Sequence, residues 1–128
     1  DNQYIGEDNH HTLIKSLEHN AFSRTKFHHK ALQAMKKVDR AYYCGCKRGK
    51  NPQDPSWQNC RCDVNCIYDD RPCDFKIAKQ TISAPHMHLY ALERLYERLS
   101  QSPPATVLDL GGGSGYVAAL CHQIAEDN

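Results

Sequence analysis

The chain has 128 residues, enough for one small domain with a single core. Sixteen basic and fifteen acidic side chains leave a net charge of +1, so no broad field for nucleic acid or a membrane surface is expected. Charged residues make up 24% and apolar types 40%, the composition of a soluble folded chain, and no apolar run reaches the roughly 18 residues of a membrane span.

In chain order, residues 9–20 read as a short helix with Leu13, Ile14, Leu17 and Ala21 on one side. Thr25 is placed to cap a second helix, over 25–38, whose inner face is Phe27, Ala31, Ala34, Met35 and Val38. Lys30, Lys36 and Lys37 take its outer face, and the pairs His10-His11 and His28-His29 are expected on solvated faces.

Periodicity then vanishes from Cys44 to Asp74, a stretch rich in Pro, Asp, Asn and Cys. So long a loop is uncommon unless something orders it. Six of the seven cysteines lie here: Cys44, Cys46, Cys60, Cys62, Cys66 and Cys73. Up to four of them could hold tetrahedral zinc, although the usual C-x2-C knuckle is absent. Disulfides and unmodified thiols stay open beside zinc. An odd total without a secretory segment argues against a secreted disulfide framework, so a cytoplasmic chain is expected.

Helical order returns over residues 84–100. Ser83 is the expected N-cap and Pro85 suits the first turn, with Met87, Tyr90, Ala91, Leu95 and Leu99 as the apolar face. Two histidines, His86 and His88, crowd this helix start without a structural need. "SPP" at 102–104 ends the helix and turns the chain. Thr106 to Leu110 is an apolar run suited to a buried parallel strand. A glycine turn, Gly111 to Gly115, follows, and then Val117, Leu120, Cys121 and Ile124 mark a helix over 114–125. Strand, glycine loop and helix open a doubly wound nucleotide-binding sheet. The fold class is therefore α/β: N-terminal helices, then the first strand, loop and helix of a Rossmann-like sheet, mostly helical over these residues. Residues 1–104 are expected to form a helical region with a Cys-rich insert at 44–74. Residues 105–128 begin the sheet domain.

The loop reads Asp109-Leu-Gly111-Gly-Gly113-Ser-Gly115. It lacks the Gly-Lys-Ser/Thr of a P-loop, and its G-x-G-x-G spacing differs from G-x-G-x-x-G. With the acid two residues earlier it resembles the first motif of class I S-adenosylmethionine-dependent methyltransferases. "TISAPHMH", from Thr81 to His88, followed by "VLDLGGGSGY", resembles the protein-L-isoaspartate O-methyltransferase family. "VDRAYY" (38–43) is similar to that family's Asp-Arg-x-x-Tyr segment, and "YDDRP" (68–72) to its Tyr-x-Asp-x-Pro.

The resemblance implies transfer of a methyl group from S-adenosylmethionine to the free carboxylate of L-isoaspartyl residues in damaged proteins. It implies Ser83 as the active-site residue. It places Thr81, Ile82, Ser83, Ala84, His88, Asp109, Gly111, Gly113 and Gly115 at the cofactor, and isoaspartyl proteins and peptides as partners. Two departures stand out. The family's Ile-Gly is replaced around Phe75-Lys76-Ile77, and the strands that carry the ribose-binding acid do not occur before Asn128. Because the chain starts at Asp1 rather than Met, it is expected to be trimmed. The alternative is a catalytically incomplete piece that binds metal or a partner through its Cys-rich loop.

Overall fold

The computed structural model describes residues 7–19, 24–44, 66–75, 80–103 and 105–128. Among the described residues four helices carry the architecture: α1 (Glu7–His19), α2 (His28–Lys37), α3 (Pro85–Leu99) and α4 (Tyr116–Glu126). A 3-10 turn (Arg40–Cys44) follows α2, and β1 (Cys73–Asp74) pairs antiparallel with β2 (Thr81–Ile82). No described helix is long and apolar enough to cross a membrane.

The central element is α2, which packs against α1, α3 and α4, while α3 also meets α4. Its alanines let neighbours approach closely: Ala31 and Ala34 are fully buried beside Leu32 and Met35. Around them close Leu13, Ile14 and Leu17 from α1 and Leu120, Cys121 and Ile124 from α4, as the helical spacing predicts. Ala21 lies outside the described residues.

Four details differ from the sequence expectations. On α3 the inward face is His88, Leu89, Leu92, Glu93, Tyr96 and Leu99, whereas Met87 and Leu95 stand half exposed. This helix carries two apolar stripes about a quarter-turn apart, and packing against α2 and α4 selects one. The buried carboxylate of Glu93 lies on the chosen face. Its Oε1 accepts from the Thr25 N–H (2.6 Å) and hydroxyl (2.9 Å), and its Oε2 from His28 Nδ1 (3.1 Å). His28 is thereby tied inward rather than solvated. The Thr25 hydroxyl accepts the Phe27 N–H (3.1 Å), just ahead of α2, so it orders the entry rather than capping His28 onward. His10 is also buried, and its Nε2 donates to the Lys36 carbonyl at 3.1 Å.

The strand expected at 106–110 is not formed. Residues 105–109 run without a ladder partner among the described residues, leaving Leu108 81% and Leu110 85% exposed. A parallel strand is held by hydrogen bonds to neighbours on both sides, and its own sequence supplies none.

In the Cys-rich region, Cys66 and Cys73 form a disulfide. Two of the six candidate zinc thiolates are thereby consumed, and no metal-holding cluster of His, Cys, Asp and Glu exists among the described residues. The Cys44 side chain, Cys46, Cys60 and Cys62 lie outside the described residues. Both sulfurs are buried in the main core with Ile67, so this short bridge anchors segment 66–73 to the helices.

Closing so short a loop stabilises by about 2 kcal/mol through the entropy of the unfolded chain. The Cys66→Ser, Cys73→Ser double variant should lose about that much in a urea melt, with m unchanged. Native protein should leave both cysteines unalkylated until reductant is added.

Candidate active site

The site is assembled where three separate stretches meet. Arg40, just after α2, is fully buried. Its Nη1 donates to the Ser83 carbonyl at 2.6 Å and its Nη2 to the Arg71 carbonyl at 3.2 Å. Asp39 beside it accepts the Ala41 N–H (2.9 Å) and the Tyr68 hydroxyl (2.9 Å). VDRAYY, YDDRP and TISAPHMH are thus one hydrogen-bonded unit.

β1 and β2 carry the next part. Register pairs Cys73 with Ile82 and Asp74 with Thr81, and the Thr81 hydroxyl donates to Asp74 Oδ1 at 2.6 Å. Ile82 turns into the core while Thr81 and Ser83 face outward. Contrary to the sequence expectation, Ser83 does not cap α3. Ala84 occupies the cap position, no cap bond comes from its side chain, and Pro85 begins the helix. The His86 N–H is instead taken by Asp70 Oδ1 at 2.9 Å.

The glycine loop closes the other side. Gly111, Gly113 and Gly115 all adopt positive φ (68°, 58° and 84°), which explains the G-x-G-x-G spacing, since side-chain-bearing residues avoid that region. Gly112 is a glycine for a different reason: a Cβ there would lie 2.8 Å from Asp109 Oδ2. Asp109 is folded back on the loop, and its buried Oδ2 has no hydrogen-bond partner among the described residues.

Between these parts lies a cleft of about 1040 Å³. Seven of the residues singled out by sequence line it: Thr81, Ile82, Ser83, His88, Asp109, Gly111 and Gly113. Ala84 and Gly115 do not; one is buried at the start of α3, the other caps α4. The sequence reading missed Tyr42, Tyr43, Phe75, Gln80, Gly112, Ser114, Tyr116 and Val117. Tyr42 and Tyr43 sat in a recognised motif, but nothing local showed that they turn toward the glycine loop.

Tyr116 joins the walls. Its ring lies 5.1 Å from His88, edge to face, and 5.3 Å from Tyr43, and its hydroxyl donates to the Val38 carbonyl. His88 is therefore desolvated. Burial, aided by the Arg40 cation, pushes its pKa down to about 4. At neutral pH the cleft presents an uncharged imidazole whose buried Nδ1 has no hydrogen-bond partner among the described residues.

Fold and cleft define a glycine-loop protein in which a helix start and a strand pair face the loop across a shared cavity. Residues 8–128 match the family described as protein-L-isoaspartate(D-aspartate) O-methyltransferase, and the chain belongs to that family. It is 41% identical over 59 residues to a protein-L-isoaspartate O-methyltransferase of Pyrobaculum neutrophilum, covering 46% of this chain and 26% of that protein. It is 35% identical over 89 residues to a probable protein-L-isoaspartate O-methyltransferase of Dictyostelium discoideum, covering 69% of this chain and 22% of that protein. The chain thus spans about a quarter of the length of the curated relatives it matches.

His88 makes the fold sensitive to mild acid. The unfolded chain takes up this proton near pH 6.5, while the folded one resists until about 4. Stability is therefore full above pH 6.5 and falls through that window, by roughly 3 kcal/mol in all. Urea melts from pH 7.5 to 4 should show this slope, and His88→Gln should flatten it. Burial raises the Glu93 carboxyl, but hydrogen bonds from Thr25 and His28 outweigh this and hold it below its ordinary value. Its contribution is lost at lower pH, so the two effects separate.

Proposed function

We propose that this chain supplies the substrate loop and the first cofactor loop of a protein-repair methyltransferase. The enzyme would transfer a methyl group from S-adenosylmethionine to the free carboxylate of L-isoaspartyl residues. The observation that carries this reading is the position of Ser83: its hydroxyl is unused by the helix and opens on the cavity that holds the glycine loop. The family and the names of its relatives support the same reading.

The residues present fit the cofactor. The positive-φ glycines form a backbone cradle without side chains, and the unpaired Asp109 oxygen offers an acceptor beside it. Thr81, Ile82 and Ser83 form the facing wall, with His88 neutral behind them. When bound, S-adenosylmethionine supplies an electrophilic methyl group carried on a positively charged sulfur. An uncharged His88 suits that cation, where an imidazolium would repel it.

On the other reactant, the chain's work is placement. A carboxylate needs no general base at neutral pH, so the wall must strip its water and hold it in line. The Ser83 hydroxyl donates to one carboxylate oxygen, while Arg40 fixes the Ser83 backbone from behind. Residues 105–110, with their exposed Val107, Leu108 and Leu110, serve in this reading as the first strand of a Rossmann-like sheet. Residues 1–104 are the region ahead of it. The alternative of a metal-binding module finds no support among the described residues.

Two substitutions on the full chain test the reading. Ser83→Ala should lower methyl transfer to an isoaspartyl peptide by about two decades, the loss typical of one transition-state donor. Because no cap bond is lost, the melting temperature should barely move. Unchanged turnover would remove Ser83 from the chemistry. Gly112→Ala should push the Asp109 carboxylate aside and weaken S-adenosylhomocysteine binding at least tenfold, about the worth of one hydrogen bond to a charged group. Titration calorimetry reads that loss directly.

A further inference from the structure

The start of α3 poses a problem of accounting. Ala84 at the cap has no side-chain acceptor, and Pro85 has no N–H, so the first orphan donor of the helix is the His86 amide. The nearest side-chain acceptor in sequence is Ser83, three residues earlier, the spacing at which a serine cap serves. The helix does not use it. Asp70, sixteen residues upstream, places Oδ1 2.9 Å from His86 N and 2.8 Å from His86 Nδ1. One carboxylate thus takes both the amide and the ring of the same residue, at the end of the helix where a negative charge is favoured.

Asp70 reaches this point independently of α3. Its segment is pinned by the Cys66–Cys73 disulfide, by the Tyr68 hydroxyl on Asp39 and by the Arg71 carbonyl on Arg40. Two consequences follow for "PHMH". His86 anchors the outer side of the helix start, whereas His88, two residues on, faces the cleft. The crowding of histidines is a division of labour between a brace and a wall.

We propose that Asp70 is a positioning residue of the active site: by capping α3 from a separate segment, it keeps the Ser83 hydroxyl out of the helix and directed to the ligand. This rests on the role given to Ser83 above. Without Asp70, the His86 amide recruits the Ser83 hydroxyl, and the helix stays capped while the site loses its donor. The effect on turnover therefore exceeds the effect on folding, which a merely structural residue does not produce.

A double-mutant cycle on the full chain decides the matter, with turnover, isoaspartyl-peptide KM and His86 amide hydrogen exchange read on each variant. Asp70 and His86 lie at the surface, so the replacements leave the core intact. Asp70→Ala should lower kcat at least tenfold, approaching the loss in Ser83→Gly. Its His86 amide should remain protected, because Ser83 has taken it over. In Asp70→Ala, Ser83→Gly the activity should fall little below Ser83→Gly alone, and the His86 amide should become exposed. Asp70→Asn keeps an acceptor and should stay within about twofold of the original rate. Asp70→Ala with wild-type kcat overturns the proposal, as do losses that multiply independently in the double variant. An exposed His86 amide in Asp70→Ala alone also overturns it. Wild-type turnover in Ser83→Gly would instead refute the reading of Ser83, and the exchange pattern would still decide which side chain caps α3.

Discussion

A fully buried guanidinium organises this molecule. Placing Arg40 out of water is expensive unless its donors are met, and here both terminal nitrogens, Nη1 and Nη2, are met by main-chain carbonyls of two different segments. The cost of misplacing either segment is a buried charge lacking its acceptor. That penalty ties the path of 66–73 and the path of 81–84 to the end of α2. The same cation reaches His88 and helps hold the imidazole neutral. Arg40 thus fixes the backbone of one cleft wall and adds to the burial that keeps another uncharged.

The core beneath has a second buried polar knot, and the two divide the work. Glu93, Thr25 and His28 lock α3 to the entry of α2, while stacking of Phe27 on Tyr96 at 5.2 Å fills the space beside them. Arg40 governs the start of α3, beside the cleft. The helix is therefore held at its start and at its middle by groups from other segments, and its register against the cleft is not left to apolar packing alone. Apolar contacts are forgiving of small slides, whereas short hydrogen bonds to buried groups are not.

The face of residues 105–110 behaves differently. Val107, Leu108 and Leu110 lie open, next to a loop whose glycines already take their special conformations. The turn is thus a local property of the glycines and Asp109, while the strand leading into it depends on neighbours. Met87 and Leu95 on α3 share that exposure.

Much was legible from the residues themselves. Helical spacing located the four helices of the described residues to within a few residues, because α-helix hydrogen bonds are local and the apolar stripe has to recur with the turn. The glycine loop announced its own backbone, since alternate positions need positive φ whatever surrounds them. Three motif strings marked segments that line the cleft, and a fourth, YDDRP, marked one that supports it. Other features had no local sign. The inward stripe of α3, the burial of His10 and the pairing of His28 with Glu93 depend on what lies opposite in space. So does the choice of Asp70 over Ser83 as the cap, since two acceptors compete for one amide and the nearer in sequence loses to the one the fold delivers. The strand at 106–110 is the converse case: its residues favour extension, but a ladder bond needs a partner that its own sequence does not contain. Periodicity and glycine placement are decided residue by residue along the chain. Caps, ion pairs and strand pairing are decided only where distant segments share a surface.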